Sequence, residues 1–258
     1  MPELPDVEAF RRELATRARG ATIRRVEVAD AQVLRNITST ELDRQLRGRH
    51  FTEPGRHGKW LYARTDGPAV LLHFGMTGSL HIADATESRH PHDRVVFVLD
   101  SGELRYRDQR KLRGLWLLPA GEAPETVTGR QGPDALESSA GEVLEHIGSV
   151  RRKLKSALLD QEVVAGLGNL TADETLWRAR LHPGQRANSL DHGERDRFHR
   201  ALRQVLHDSV RAGRVPDRNS WLTGHRDEAG DRCPRCGTSL VRETVSGRST
   251  VWCPGCQQ

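Results

Sequence analysis

Nowhere among its 258 residues does the chain hold the run of about eighteen apolar residues that a membrane helix needs. Its opening, MPELPDVEAF, lacks the basic stretch and continuous apolar core of a secretory leader, because Glu3 and Asp6 sit where those would be. Cysteine is absent until Cys233, and no internal repeat is visible. Neither sign of charge dominates: 40 Lys+Arg stand against 35 Asp+Glu, a formal balance of +5. These absences predict a soluble, intracellular protein, in one large domain or two modest ones, with chain enough for a real core. The distribution of charge matters more than its total.

What is present is concentrated. All four cysteines fall at the end, as Cys233-Pro-Arg-Cys236 and Cys253-Pro-Gly-Cys256. Two C-x-x-C knuckles separated by sixteen residues predict a tetrahedral thiolate site for one structural zinc ion. Disulfides are the competing reading, disfavoured in the reducing compartment that a chain without a leader implies. Two basic runs stand out: Arg105–Arg113 carries five cations and one acid, and Arg151–Lys155 carries four cations in five residues. Each alone fits a solvated face; together they point to a polyanionic partner.

The pattern of apolar residues changes along the chain. Val7, Phe10 and Leu14 recur at helical spacing and predict a helix over 6–18. Short β-branched and aliphatic segments follow at 22–28, 60–64, 70–74, 79–82, 95–99, 104–106 and 115–118, separated by Gly, Asp and His turns. Composition then shifts to Gly, Ala, Glu, Pro and Ser up to about residue 148, with a short helix near 140–147. Helical periodicity returns at 150–159, 161–164, 171–180 and 191–212, and 239–245 and 249–252 pair as a hairpin across Ser246-Gly247-Arg248. The predicted fold is α+β: an N-terminal β-sandwich flanked by helices (1–132), a linker (133–149), a helical domain (150–226) and a zinc hairpin (227–258).

Three local patterns carry chemistry. In Ala165-Gly-Leu-Gly-Asn169-Leu-Thr171-Ala-Asp-Glu174, a glycine turn feeds a helix whose start offers Thr171 with Glu174 as a capping box and Asn169 as a rival cap. Such a corner is either a plain helix junction or a phosphate cradle. Arg248, at the predicted hairpin turn, would present a guanidinium suited to phosphate. If Met1 is removed, Pro2 offers a secondary amine with a reference pKa near 8, far more of it neutral than a lysine at physiological pH. Condensed with an aldehyde it gives an iminium that has no N–H proton to lose, an electron sink suited to elimination. Glu3 could move protons beside it; the competing reading is a frayed terminus.

Taken together, MPELPDVE, HGKWL around Lys59, LLHFGMTGSL around Met76, LLDQEVVAGLGNLTADETLWRARLHP and GRSTVWCPGCQ resemble, in order, the signatures of the formamidopyrimidine-DNA glycosylase/endonuclease VIII family of base-excision repair enzymes. The resemblance implies a helix-two-turn-helix fold for the helical domain. It implies removal of oxidised bases through a Schiff base at Pro2, then strand cleavage by β- and δ-elimination. Glu3 would protonate the sugar ring oxygen, and Lys59 would contact phosphate beside the lesion. Asn169 and Arg248 would hold the phosphates of the extruded nucleotide, with His73 and Lys155 as further contacts. Met76, Arg110 and Leu112 would fill the space the base leaves. The implied partner is double-stranded DNA bearing damaged bases or abasic sites, met by a monomer in the cytoplasm at the nucleoid.

This chain departs from the family pattern in places. Asp6 stands where glutamate is common, Leu112 replaces the usual aromatic wedge, and Arg113 follows it where glycine is expected. The segment His207–Arg226 lacks the longer loop that covers oxidised guanine in the formamidopyrimidine branch, which leaves oxidised purines, oxidised pyrimidines and ring-opened purines all open as substrates. Two other classes are a catalytically silent binder of distorted DNA and a zinc-ribbon RNA-associated protein. A binder has no need of Pro2 or Glu3.

Overall fold

A computed structural model describes residues 1–226 and 230–257. The chain forms two compact units, one of residues 1–2 with 6–129, the other of residues 3–5 with those from Arg130 onward. The expected zinc-module boundary at residue 227 lies outside the described residues.

The first unit contains α1 (Leu4–Arg17, from Asp6), β1 (Ile23–Val28), α2 (Ser39–Leu46), β2 (Gly55–His57), β3 (Trp60–Ala63), β4 (Ala69–His73), β5 (Ser79–Ala83), β6 (Asp93–Leu99), β7 (Gly102–Arg107), β8 (Gly114–Leu118) and the single turn α3 (Glu125–Thr128). Two four-stranded antiparallel sheets, β1-β6-β7-β5 and β2-β3-β4-β8, share one core. Alternation explains the sandwich: Leu104 and Tyr106 of β7 and Leu61 and Ala63 of β3 all enter that cluster, and Val7, Leu14, Leu42 and Leu46 close it from α1 and α2. Phe74 lies at its centre, 4.6 Å from the Phe10 ring and stacked 5.9 Å from Tyr106.

The strand positions follow the sequence pattern to within two residues, but α2, β2 and the single turn α3 escape it, and α1 starts early. Helix α2 is announced by Thr38, whose side chain accepts from Glu41 N–H. Strand β2 has three residues, too few to show alternation. Helix α1 begins at Leu4 rather than residue 6, since Pro5 in the first turn gives up no intrahelical hydrogen bond. The outer face of β7 also changes the reading of the first basic run. Arg105 is buried against Glu103 (2.8 Å), Arg107 binds Asp93 (2.7 Å) and Lys111 binds Asp30 (2.8 Å), so three of the five cations are neutralised by carboxylates.

The second unit packs α4 (Ala140–Gly148), α5 (Leu154–Leu159), α6 (Asn169–Ala179) and α7 (His192–Ala212) around a separate core. Ala135, Val143 and Ile147, within the stretch expected as a linker, are buried in that core. Ser139 and Asp191 begin α4 and α7 with reciprocal capping boxes to Glu142 and Glu194, and Gly213 ends α7 at φ +71°. Residues 161–163 form a turn and 164–168 continue as an irregular loop, rather than the expected helix at 161–164. The Gln161 side chain ties them, donating to the carbonyls of Leu159 and Leu167 and accepting from Gly166 N–H. Residues 150–153 lie outside α5, which starts at Leu154.

The hairpin β9 (Val241–Val245) and β10 (Arg248–Trp252) turns at Ser246-Gly247, both with positive φ (+50° and +75°). Arg248 is therefore the first residue of β10 and not part of the turn. Among the described residues no helix is long and apolar enough to cross a membrane. Replacing Phe74 by alanine is expected to destabilise the first unit by about 3–5 kcal/mol, read as a lower urea midpoint for that unit's unfolding.

Candidate functional site

In the first unit, register gathers the expected DNA-facing residues at one end of three neighbouring strands, for Trp60 pairs with His73 and His73 with Gly114. Gly58, at φ +56°, makes the tight β2–β3 turn and leaves Lys59 at its tip. His73 ends β4 with its ring edge-on to Trp60 at 4.9 Å. Burial, and then the nearby Arg113 and Lys59 charges, push its pKa down to about 3, so the imidazole is neutral. Its Nδ1 accepts from Gly75 N–H at 3.0 Å, which leaves the proton on Nε2 as a donor.

Two loops follow from β4 and β7. The first turns so tightly that Gly78 N–H meets the Phe74 carbonyl at 2.7 Å, and a Cβ on Gly78 would lie 2.4 Å from that oxygen. Asp108 accepts from the Thr77 hydroxyl (2.6 Å) and Arg110 N–H (3.1 Å), tying the loops together. Arg110 Nη1 lies 2.9 Å from Met76 Sδ. Arg35 donates to the carbonyls of Lys111 (2.8 Å) and Arg113 (2.7 Å), bracketing Leu112. Met76 and Leu112 are 40% and 51% exposed, and with Met1 they are the exposed large apolar side chains among the described residues.

In the second unit, the corner read as a phosphate cradle already holds an anion. The buried Glu3 carboxylate accepts from the backbone N–H groups of Gly168 (3.2 Å), Leu170 (2.8 Å) and Thr171 (3.1 Å) and from the Thr171 hydroxyl (2.6 Å). The helix cap is thus Gly168, not Asn169, and the Thr171–Glu174 capping box is not made. Thr171 turns inward to Glu3, while Glu174 is buried against Arg178 (2.8 Å) and Thr223 N–H. Glycine is required at 168 because a Cβ would fall 2.2 Å from Glu3 Cδ.

Lys155, expected at phosphate, is fully buried. Its ammonium lies 2.5 Å from Asp173 and donates to the Ser249 carbonyl at 3.0 Å. Asn169 Nδ2 donates to the same carbonyl at 2.9 Å. Asp173 also accepts from Arg226 (2.9 Å) and Val251 N–H (3.2 Å), so α5, α6, Arg226 and β10 meet at one carboxylate. Arg248 stands exposed one residue before the doubly bonded Ser249. Sequence reading missed Thr171 as a partner of Glu3 and Asp173 as an anchor; both lie in the motif it singled out, but their partners are distant in sequence.

The four cysteine Sγ atoms lie within 4.8 Å of one another, with pairs at 3.4, 3.5 and 3.9 Å. Thiolates at about 2.3 Å from a tetrahedral zinc stand roughly 3.8 Å apart, so the cluster fits that ion. Trp177 Nε1–H donates to Cys233 Sγ and Thr238 Oγ1 lies 3.2 Å from Cys236 Sγ, supplying the outer contacts such a centre uses. Cys233, Cys256, Cys236 and Cys253 hold one structural zinc.

Comparison with known proteins agrees with each part. Sequence profiles match the formamidopyrimidine-DNA glycosylase N-terminal domain over residues 1–115, its H2TH domain over 131–218, and the zinc finger found in FPG and IleRS over 230–258. The formamidopyrimidine-DNA glycosylase of Heliobacterium modesticaldum is 39% identical, with 100% of both chains covered; that of Bacillus subtilis is 34% identical, covering 100% of this chain and 99% of the relative. A Lactococcus lactis FPG point mutant bound to Fapy-dG containing DNA superposes with a TM-score of 0.90 at 29% identity. MutM with carbocyclic 8-oxo-G containing DNA gives 0.90 at 30%, and both structures cover 100% of each chain. Sharing its signatures, its zinc finger and more than a third of its residues end to end with such a relative, the chain belongs to the formamidopyrimidine-DNA glycosylase family.

Proposed function

We propose that this protein is a base-excision repair glycosylase and abasic-site lyase that removes oxidised bases from duplex DNA, with Pro2 as nucleophile once Met1 is removed. The observation that carries this reading is the Glu3 carboxylate fixed on the α6 N-terminus, which holds the residue next to Pro2 in place. A frayed terminus is incompatible with that anchoring.

The Pro2 amine attacks C1′ of the damaged nucleotide and the bond to the base breaks, its electron pair leaving with the base. Glu3 takes the proton that the alkylated amine sheds and passes it to the ring oxygen as the sugar opens. The resulting iminium withdraws electrons from C2′, whose proton leaves as the 3′ carbon–oxygen bond breaks. Lys59 and the neutral His73 Nε2–H serve as donors to backbone phosphate. Asn169 and Arg248, joined through Ser249, hold the phosphates of the extruded nucleotide. Met76, Arg110 and Leu112 occupy the vacated stack. Lys155 acts at one remove, holding β10 through the Ser249 carbonyl. Such a substrate places the enzyme at the nucleoid, in the cytoplasm.

Borohydride added to enzyme with a lesion-bearing duplex is expected to trap a covalent adduct that peptide mapping locates at Pro2, and Pro2→Gly to lower adduct yield about 10-fold or more. An adduct on a lysine instead would sink the choice of nucleophile. Arg248→Ala should weaken binding to damaged and undamaged duplex alike and reduce the slope of log K against log salt by about one. Zinc removal by a chelator should reproduce the Arg248→Ala loss in a fluorescence anisotropy titration, since the hairpin then loses its fixed shape.

A further inference from the structure

Three backbone N–H groups hold Glu3, and the side chain that joins them is that of Thr171, which is fully buried. Its hydroxyl has one proton and two acceptors within reach. Glu3 Oε2 lies at 2.6 Å and the Gly168 carbonyl at 3.2 Å. The shorter contact has the length of a charge-assisted O–H···O⁻ bond, so the proton points at Glu3. On its other side Oγ1 accepts from Gly168 N–H at 2.9 Å, which stops the hydroxyl from swinging away. At the start of α6 the hydroxyl serves only the Gly168 N–H, which it shares with Glu3, because the carboxylate takes the N–H groups of Leu170 and Thr171. Gly168 packs so closely against Glu3 that a Cβ there would lie 2.2 Å from the carboxyl carbon.

We propose that Thr171 is a positioning residue for Glu3 in base release, its hydroxyl fixing the plane in which the carboxylate takes the proton shed by the attacking Pro2 amine and passes it to the sugar ring oxygen. The inference rests on the role given to Glu3 above. It also separates two activities. Release of a base from an intact nucleotide needs a proton delivered to the ring oxygen as the ring opens. A preformed abasic site reaches its open-chain aldehyde in water without that help; the Pro2 amine then adds to the aldehyde carbon and water departs as the iminium forms. A residue that aims Glu3 matters for the first reaction and little for the second.

The test uses the full-length, zinc-loaded protein with Thr171→Val, which keeps the shape and removes the hydroxyl, and Thr171→Ser, which keeps the hydroxyl. Single-turnover release of a formamidopyrimidine base, cleavage at a preformed abasic site and the thermal midpoint are measured for each. Thr171→Val is expected to slow base release about 10- to 100-fold, the range that loss of a hydrogen bond to a charged group spans. Abasic cleavage should stay within about twofold of the parent, and Thr171→Ser should restore base release. The proposal is overturned if Thr171→Val releases base at the parent rate, if both activities fall together with the thermal midpoint, or if Thr171→Ser fails to rescue. A parent enzyme that releases no base from any oxidised duplex overturns the proposed function and this inference with it.

Discussion

Everything near the chain's opening depends on one carboxylate meeting one helix end. The first N–H groups of α6 have no intrahelical partner, and the residue at the cap position is a glycine with no side chain to offer. Glu3 supplies the missing acceptor from 165 residues away. Burying a carboxylate is costly unless donors surround it, and a helix start is a place where donors and the dipole already point the right way. The fit is exclusive on both sides: a Cβ at 168 would strike Glu3, a Cβ at 166 would strike Leu4 at 2.3 Å, and Leu4 N–H bonds the Gly166 carbonyl. A segment that reads as an unpromising start, two prolines around a glutamate, is one of the most constrained in the molecule.

A second buried carboxylate does related work on the hairpin. Burial pushes Asp173 up and Lys155 down in pKa, while their mutual attraction opposes both. Such a pair is a poor source of net stability, because removing two charges from water consumes most of what their attraction returns. What it supplies is position. Lys155, Arg226 and the Val251 amide converge on Asp173, and Lys155 with Asn169 saturates the Ser249 carbonyl. The strand carrying Arg248 is thus pinned at alternate residues, while Trp177, Leu222 and Val251 pack against the zinc cysteines. A rigid strand holds its one exposed guanidinium, that of Arg248, in a fixed direction.

Much of this was readable from the chain, and the failures share a cause. Strand alternation placed the sandwich, the cysteine spacing placed the metal, and the glycine corner was found where α6 begins. Each of those signals is local. Lys155 and Arg105 were read as part of basic surfaces because their carboxylates, Asp173 and Glu103, answer them across helices or across the face of a strand. The capping box at Thr171 and Glu174 satisfied a local rule, yet α6 begins two residues earlier, at Asn169, and the Thr171 N–H goes to a distant glutamate. Site residues on turns, such as Lys59 and Met76, showed no physical pattern of their own and were visible only through family likeness.

The exposed apolar tips are held by constraints of the same kind. With Arg105, Arg107 and Lys111 paired to acids, the loop after β7 presents Arg110, Leu112 and Arg113 to solvent. Leaving Leu112 and Met76 in water forfeits the burial each would gain in a core, about 1.5–3 kcal/mol apiece. Flexible loops would fold such residues back onto the protein. These cannot, because Arg35 grips the carbonyls on either side of Leu112, Lys111 sits at φ +52°, and Asp108 joins the two loops through Thr77 and Arg110. Ordering that is complete before DNA arrives does not have to be met from the energy of inserting a side chain into a base stack. Leucine offers less stacking area than an aromatic ring, so on the proposed reading of Leu112 as a wedge the stiffness of the loop carries more of the task of holding a duplex open.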